Sequence, residues 1–101
     1  MIACDVVWAE TASFFPAGEA MRSAMVRLGV EFTPLSAQGS EMAGAAFKVY
    51  RHRGGRRQRV VADFLIGGHA VAQSDRLLTR DRGFYRAYFR KLKVLDPSLD
   101  T

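Results

Sequence analysis

Three short apolar runs, Val30-Glu31-Phe32-Thr33-Pro34-Leu35, Leu77-Leu78-Thr79 and Leu92-Lys93-Val94-Leu95, are separated by stretches of helical periodicity. This alternation limits the available folds more than any other feature. Strands separated by helices need crossover connections, so the pattern implies an α/β fold with a mainly parallel sheet. The helices are expected at about 5–15, with Asp5 as N-cap, and from Ala17 to Leu28, with Gly29 just beyond the end. A third, capped by Ser36, carries Met42, Ala45, Ala46, Val49 and Tyr50 and stops at Gly54-Gly55. A fourth covers 61–74 with Ala62, Ile66, Ala70 and Gln73 on one side, and a short fifth covers 84–89. The run Val30–Leu35 suits an edge or extended strand ended by proline, and Leu77–Thr79 a buried strand followed by the charged turn Arg80-Asp81-Arg82-Gly83.

At 101 residues the chain is long enough for one small domain, expected to span 1–101. Its one cysteine, Cys4, makes neither an internal disulfide nor a thiolate metal site, which is the pattern of a cytoplasmic protein. No basic, apolar leader opens the sequence, and no apolar run approaches the roughly 20 residues of a membrane span, so no membrane partner is expected. Charge is unevenly divided. Residues 1–47 carry two arginines against five carboxylates, whereas residues 48–101 carry 13 basic and 5 acidic side chains. A positive field concentrated in the second half points to a polyanionic partner, although a basic face can also serve solubility alone.

Three carboxylates stand where a carboxylate is costly. Glu10 follows Val6 and Val7 by four and three residues and precedes Phe14 by four, which puts it on an apolar helical stripe. Asp63 is embedded in Val60-Val61-Ala62-Asp63-Phe64-Leu65-Ile66, at the first turn of an otherwise apolar helix. Asp81 follows a strand by two residues, at the carboxyl end where parallel α/β sheets bind ligands. Singly, these are readable as a cap, an ion-pair partner and a turn residue. Together they fit a site that gathers Mg²⁺ or Mn²⁺ through oxygen ligands, a chemistry that needs no histidine or cysteine and suits in-line attack on a phosphodiester.

The basic residues supply the complementary half. Lys48, Arg51, His52, Arg53, Arg56, Arg57 and Arg59 bracket Gly54-Gly55 beside Tyr50, and Arg80, Arg82, Arg86, Arg90 and Lys91 flank Asp81. Arginine forks bind phosphates and neighbouring aromatics stack on unpaired bases, so Arg51, Arg53, Arg56, Arg57, Arg59, Arg80 and Arg82 are candidate nucleic-acid contacts. A cationic helix C-terminus accounts for part of this without any ligand. His69 lies about 240° around the helix from Asp63 and does not share its face. The glycine pairs lack the spacing of a phosphate-binding loop.

The stretch Ala62-Asp63-Phe64-Leu65-Ile66-Gly67-Gly68-His69-Ala70, followed by Leu77-Leu78-Thr79-Arg80-Asp81-Arg82-Gly83-Phe84-Tyr85, resembles the C-terminal half of a PIN domain, in particular of VapBC-type toxins of prokaryotic toxin–antitoxin systems. Val6-Val7-Trp8-Ala9-Glu10 resembles the helix that supplies that family's second acid. The resemblance implies a three-layer α/β/α fold and a Mg²⁺- or Mn²⁺-dependent endoribonuclease, usually dimeric and neutralised by a cognate antitoxin. It also implies Glu10, Asp63 and Asp81 as metal ligands with Thr79 supporting the site. The family's opening strand, ending in an Asp-Thr-Asn-like motif, has no counterpart here, so the domain reads as truncated at its N-terminus. A start placed too far downstream, a cut chain and a natural short form all fit. With three acids in place of four, weak or absent ribonuclease activity is expected, and a non-catalytic module binding RNA or an antitoxin is the alternative.

Lacking a central strand, such a sheet exposes unpaired backbone groups and an apolar crevice, which favours pairing with a second copy, with exchanged elements as one route. Analytical ultracentrifugation at micromolar concentration is expected to show a species larger than a monomer; a well-folded monomer would count against it.

Overall fold

The computed structural model describes residues 1–55, 61–79 and 82–97. Its elements, in chain order, are β1 (Ile2–Ala3), α1 (Asp5–Ala12), α2 (Gly18–Leu28), β2 (Glu31–Phe32), α3 (Ala37–His52), α4 (Val61–Gln73), β3 (Arg76–Leu78), α5 (Arg82–Tyr88) and β4 (Lys93–Leu95). The fold is α/β, and both of its ladders are parallel and two-stranded, β1 with β2 and β3 with β4. The chain divides into two compact units, Met1–Leu35 and Ser36–Thr101.

In the first unit β1 and β2 pair in the register Ile2–Glu31 and Ala3–Phe32. A two-residue strand carries no alternation, so β1 escapes a reading by period. Asp5 is not the cap of α1. Cys4 holds that position without a side-chain bond, and the Asp5 carboxylate accepts from the Leu35 N–H at 3.3 Å. The helix also ends at Ala12, short of the expected 15, and the N–H groups of Phe14 and Phe15 donate three residues back to Thr11 and Ala12. Pro16 disfavours helical backbone at Phe15, so the chain tightens and leaves Phe14 88% exposed. Gly29 closes α2 at φ 70°, as the sequence implied. Met21 and Met25, one turn apart, are the buried residues of α2, and Trp8 meets Phe32 edge-on at 5.3 Å.

The second unit is built on α3 against α4. The Ser36 hydroxyl accepts from the Gly39 N–H and caps α3, while the Ser36 N–H donates to the Gln73 side-chain oxygen at 2.9 Å, tying the start of α3 to the end of α4. The helices are antiparallel: Gly68 lies against Gly39 and Ala43, and Phe64 against Phe47 and Tyr50. The packed face of α3 is therefore Gly39, Ala43, Ala46, Phe47 and Tyr50. Of the expected stripe, Ala46 and Tyr50 lie on this face, whereas Met42, Ala45 and Val49 are rotated from it, and Val49 is exposed. Small residues at 39 and 43 let the backbones approach, which outweighs the larger side chains on the neighbouring face.

Phe64, 1% exposed, is the centre of the core, with Phe47, Tyr50, Phe84 and Tyr88 around it at centroid distances of 5.0, 5.4, 5.1 and 6.2 Å. The strand β3 is half-covered: Leu77 packs on this core, but Arg76 and Leu78 are exposed, so the expectation of a fully buried strand does not hold. With a single neighbour, β4, the ladder buries one face.

Glycine substitution separates packing from helix propensity. A Cβ at Gly68 would run into the Gly39 carbonyl oxygen, whereas one at Gly44 meets nothing within 4 Å. Gly68→Ala is expected to lose about 2 kcal/mol of stability by overpacking. Gly44→Ala, on the same helix pair, is expected to gain about 0.5–1 kcal/mol. Chemical denaturation of both variants measures the two signs.

Candidate active site

Asp63 occupies the first turn of α4 and is half-buried. A carboxylate there is favoured by the positive end of the helix dipole. From Gln73 only Ser74 and Asp75 intervene before β3. This turn is held by the Ser74 hydroxyl, which donates to the Arg76 carbonyl at 2.8 Å and accepts from the Arg76 N–H at 3.3 Å. Thus β3 starts at the C-terminal end of α4 and packs back along it, and its carboxyl end, followed by Thr79, lies toward the first turn of α4. Asp63 stands at the start of α4, and Thr79 at the carboxyl end of the strand that packs on that helix. The Thr79 N–H donates to the Leu95 carbonyl at 2.8 Å, which extends the β3–β4 ladder by one bond and fixes the backbone there.

The other expected site residues fall as follows. Glu10 is on α1 in the first unit and is exposed, so it does not stand on a core-facing stripe; α1 buries none of its residues. Asp81 and Arg80 lie outside the described residues, as do Arg56, Arg57 and Arg59. Arg82 opens α5. Arg51 and Arg53 are exposed at the C-terminal end of α3. Because α3 and α4 are antiparallel, that end adjoins the first turn of α4, and Phe64, next to Asp63, is in ring contact with Tyr50. Among the described residues no three or more histidines, cysteines, aspartates or glutamates gather at a distance that would hold a metal. Oxygen ligands of the Asp63 and Thr79 kind, at the carboxyl end of a parallel ladder, are the donor chemistry of a hard divalent cation.

The structure adds Asp96 to this end. It follows β4 directly, and the register that pairs Leu78 with Leu95 sets Asp96 beside Thr79. Asp96 and His69 are the buried polar or charged residues among those described, each 5% exposed. Every buried side-chain polar atom among the described residues has a hydrogen-bond partner. The sequence signal for Asp96 is its place after an apolar strand and before Pro97, the same strand-end logic that singles out Asp81. Asp75, at the opposite end of β3, contrasts with it. It is exposed, and the Arg76 guanidinium, hydrogen-bonded at 3.2 Å, holds its carboxyl below the usual range.

Comparison with protein-family models and with curated protein sequences gives no match. Among solved structures, the fold is similar to that of a chain in the crystal structure of VapBC2 from Rickettsia felis bound to a DNA fragment from its promoter. The TM-score is 0.70 and the identity 22%, with 94% of this chain and 73% of that one covered. The chain therefore shares the fold of a component of that complex.

A buried, bonded carboxylate is costly to alter, because its partners lose a charged acceptor. Asp96→Asn is expected to destabilise by about 1–3 kcal/mol. Asp75→Asn, at a solvated position, is expected to leave the denaturation midpoint essentially unchanged, and parallel guanidinium titrations compare the two.

Proposed function

We propose that this chain is a PIN-like, metal-dependent endoribonuclease domain, the toxin side of a toxin–antitoxin pair. One observation carries the reading: the parallel β3–β4 ladder ends at Thr79, whose N–H is bonded to Leu95, and the helix leading into β3 bears Asp63 in its first turn. The likeness in fold to a chain of the VapBC2 complex supports it, since that assembly is a toxin–antitoxin pair bound to DNA. Glu10 and Asp81 enter on the strength of the sequence motif.

In this reading Asp63 would hold Mg²⁺ or Mn²⁺, with Glu10 and Asp81 as further oxygen ligands. When bound, such a cation polarises a phosphate and lowers the pKa of a water for in-line attack. The chain's own part is positional. The α4 dipole keeps a negative charge at Asp63 favourable, and the N–H bond from Thr79 to Leu95 holds the Thr79 hydroxyl at the strand end, where it can orient a water or a phosphate oxygen. The partners are single-stranded RNA as substrate and a cognate antitoxin as inhibitor.

The reading is tested with purified chain, a labelled single-stranded RNA, and Mg²⁺ or Mn²⁺. Cleavage is expected with either metal, to be abolished by EDTA, and to fall about a hundredfold in Asp63→Asn. Asp63 is half-buried in the first turn of α4, so the substitution is expected to cost about 1 kcal/mol of helix-end interaction, and a denaturation curve checks that the variant is folded under the assay conditions. RNA binding without metal-dependent cleavage would instead mark a non-catalytic module.

A further inference from the structure

Arg51 and Arg53 end α3 in an unusual state for surface arginines. The Arg51 guanidinium lies over the Phe47 ring, 5.0 Å from its centroid, and that of Arg53 over the Tyr88 ring at 5.5 Å. Both rings belong to the cluster around Phe64: Phe47 and Tyr88 contact Phe64 at 5.0 and 6.2 Å, and Tyr50 bridges to Tyr88 at 5.6 Å. The platforms are thus core residues with little freedom. Neither arginine is paired with a carboxylate among the described residues. Two guanidiniums are restrained over rings, with no carboxylate partner among the described residues.

We propose that Arg51 and Arg53 form a phosphate-binding subsite for single-stranded RNA, at the same end of the second unit as Asp63. It rests on the nuclease reading above and names how the substrate is held. A helix C-terminus attracts cations, but that attraction is satisfied by any orientation near the last carbonyls and by lysine as well as arginine. Stacking does something more specific. A guanidinium seated over a ring is restrained in place, and its planar fork of N–H donors matches the two oxygens of a phosphate. Unstacked bases pack on arginine planes as they do on aromatic rings, and both stand together here. A duplex offers phosphates but keeps its bases stacked inside, so an edge-and-face receptor favours the unpaired strand. Ordering the side chains before binding lowers the cost of immobilising them on the ligand. Lys48, exposed on the last turns of α3, extends the positive surface.

The test is binding of a short fluorescein-labelled single-stranded RNA to the full chain by anisotropy, in EDTA so that no cleavage intervenes. Arg53→Lys keeps the charge and loses the flat fork, and is expected to weaken binding about three- to fivefold. Tyr88→Phe keeps the platform and is expected to bind like the parent. The double variant Arg51→Ala with Arg53→Ala is expected to weaken binding more than tenfold and to reduce the salt slope of log K by roughly 1.4, two single-strand phosphate contacts. Circular dichroism confirms that the exposed-site variants stay folded. Unchanged affinity and salt slope in the double variant would overturn the subsite, as would equal loss on duplex RNA of the same length. Parent chain that binds RNA in this manner and fails to cut it in Mg²⁺ or Mn²⁺ would overturn the nuclease reading and leave the subsite standing.

Discussion

The second unit depends on the antiparallel contact between α3 and α4. At one end the contact is as close as backbone allows, with Gly68 against Gly39 and Ala43 and no room for a Cβ. At the other end it widens to admit Phe64 between Phe47 and Tyr50. Burying a ring of that size contributes about 1.5–3 kcal/mol, and its edge-on contacts with Phe47, Phe84 and Tyr88 add to this. Close approach at one end and aromatic filling at the other fix how α4 lies along α3, and with it the place of Asp63. The polarity of the pair then sorts the charges. The negative end of the α3 dipole, with Arg51, His52 and Arg53, adjoins the positive end of the α4 dipole, with Asp63. Acid and base are gathered at one end by the same geometry that forms the core.

Most of the elements were legible because they carry strong local signals. Ser36 at an N-cap, Gly29 in the left-handed region, Gly54 after α3 and the apolar turn around Asp63 each act through the nearest few residues. The parallel sense of both ladders followed from helices between strands. What was not legible depends on contacts distant in sequence. The face that α3 buries is chosen by how closely α4 can approach, so Gly39 and Ala43 outrank the larger Met42 and Val49. Glu10 has hydrophobic neighbours at helical spacing, but α1 offers none of its residues for burial, so the period alone misplaced it. Phe14 was lost to Pro16, whose effect on the preceding residue outweighs the preference of a phenylalanine for burial.

The same distinction separates Asp63 and Thr79 from Asp96 at the strand-end site. Asp63 could be noticed because a charge inside an apolar helix breaks a pattern, and Thr79 because it belongs to a motif. Asp96 breaks none, since an aspartate before proline at the end of a strand reads as an ordinary turn. Its meaning comes from burial and from the register that places it beside Thr79, which only the paired strands reveal.

An acid-bearing site repels the polyanion it would act on, so the disposition of positive charge decides whether a phosphate chain can approach. The large excess of basic residues after position 48 sets a favourable field, but at physiological salt charges more than about 8 Å away are largely screened. Local cations must therefore do the holding, and they must not collapse onto the carboxylates they adjoin. Seating Arg51 and Arg53 on Phe47 and Tyr88 meets both demands, because the rings restrain the guanidiniums without cancelling their charge. The aromatic cluster thus reaches the surface: the rings packed around Phe64 also carry the guanidiniums at the C-terminal end of α3, so loosening the cluster would loosen those cations with it.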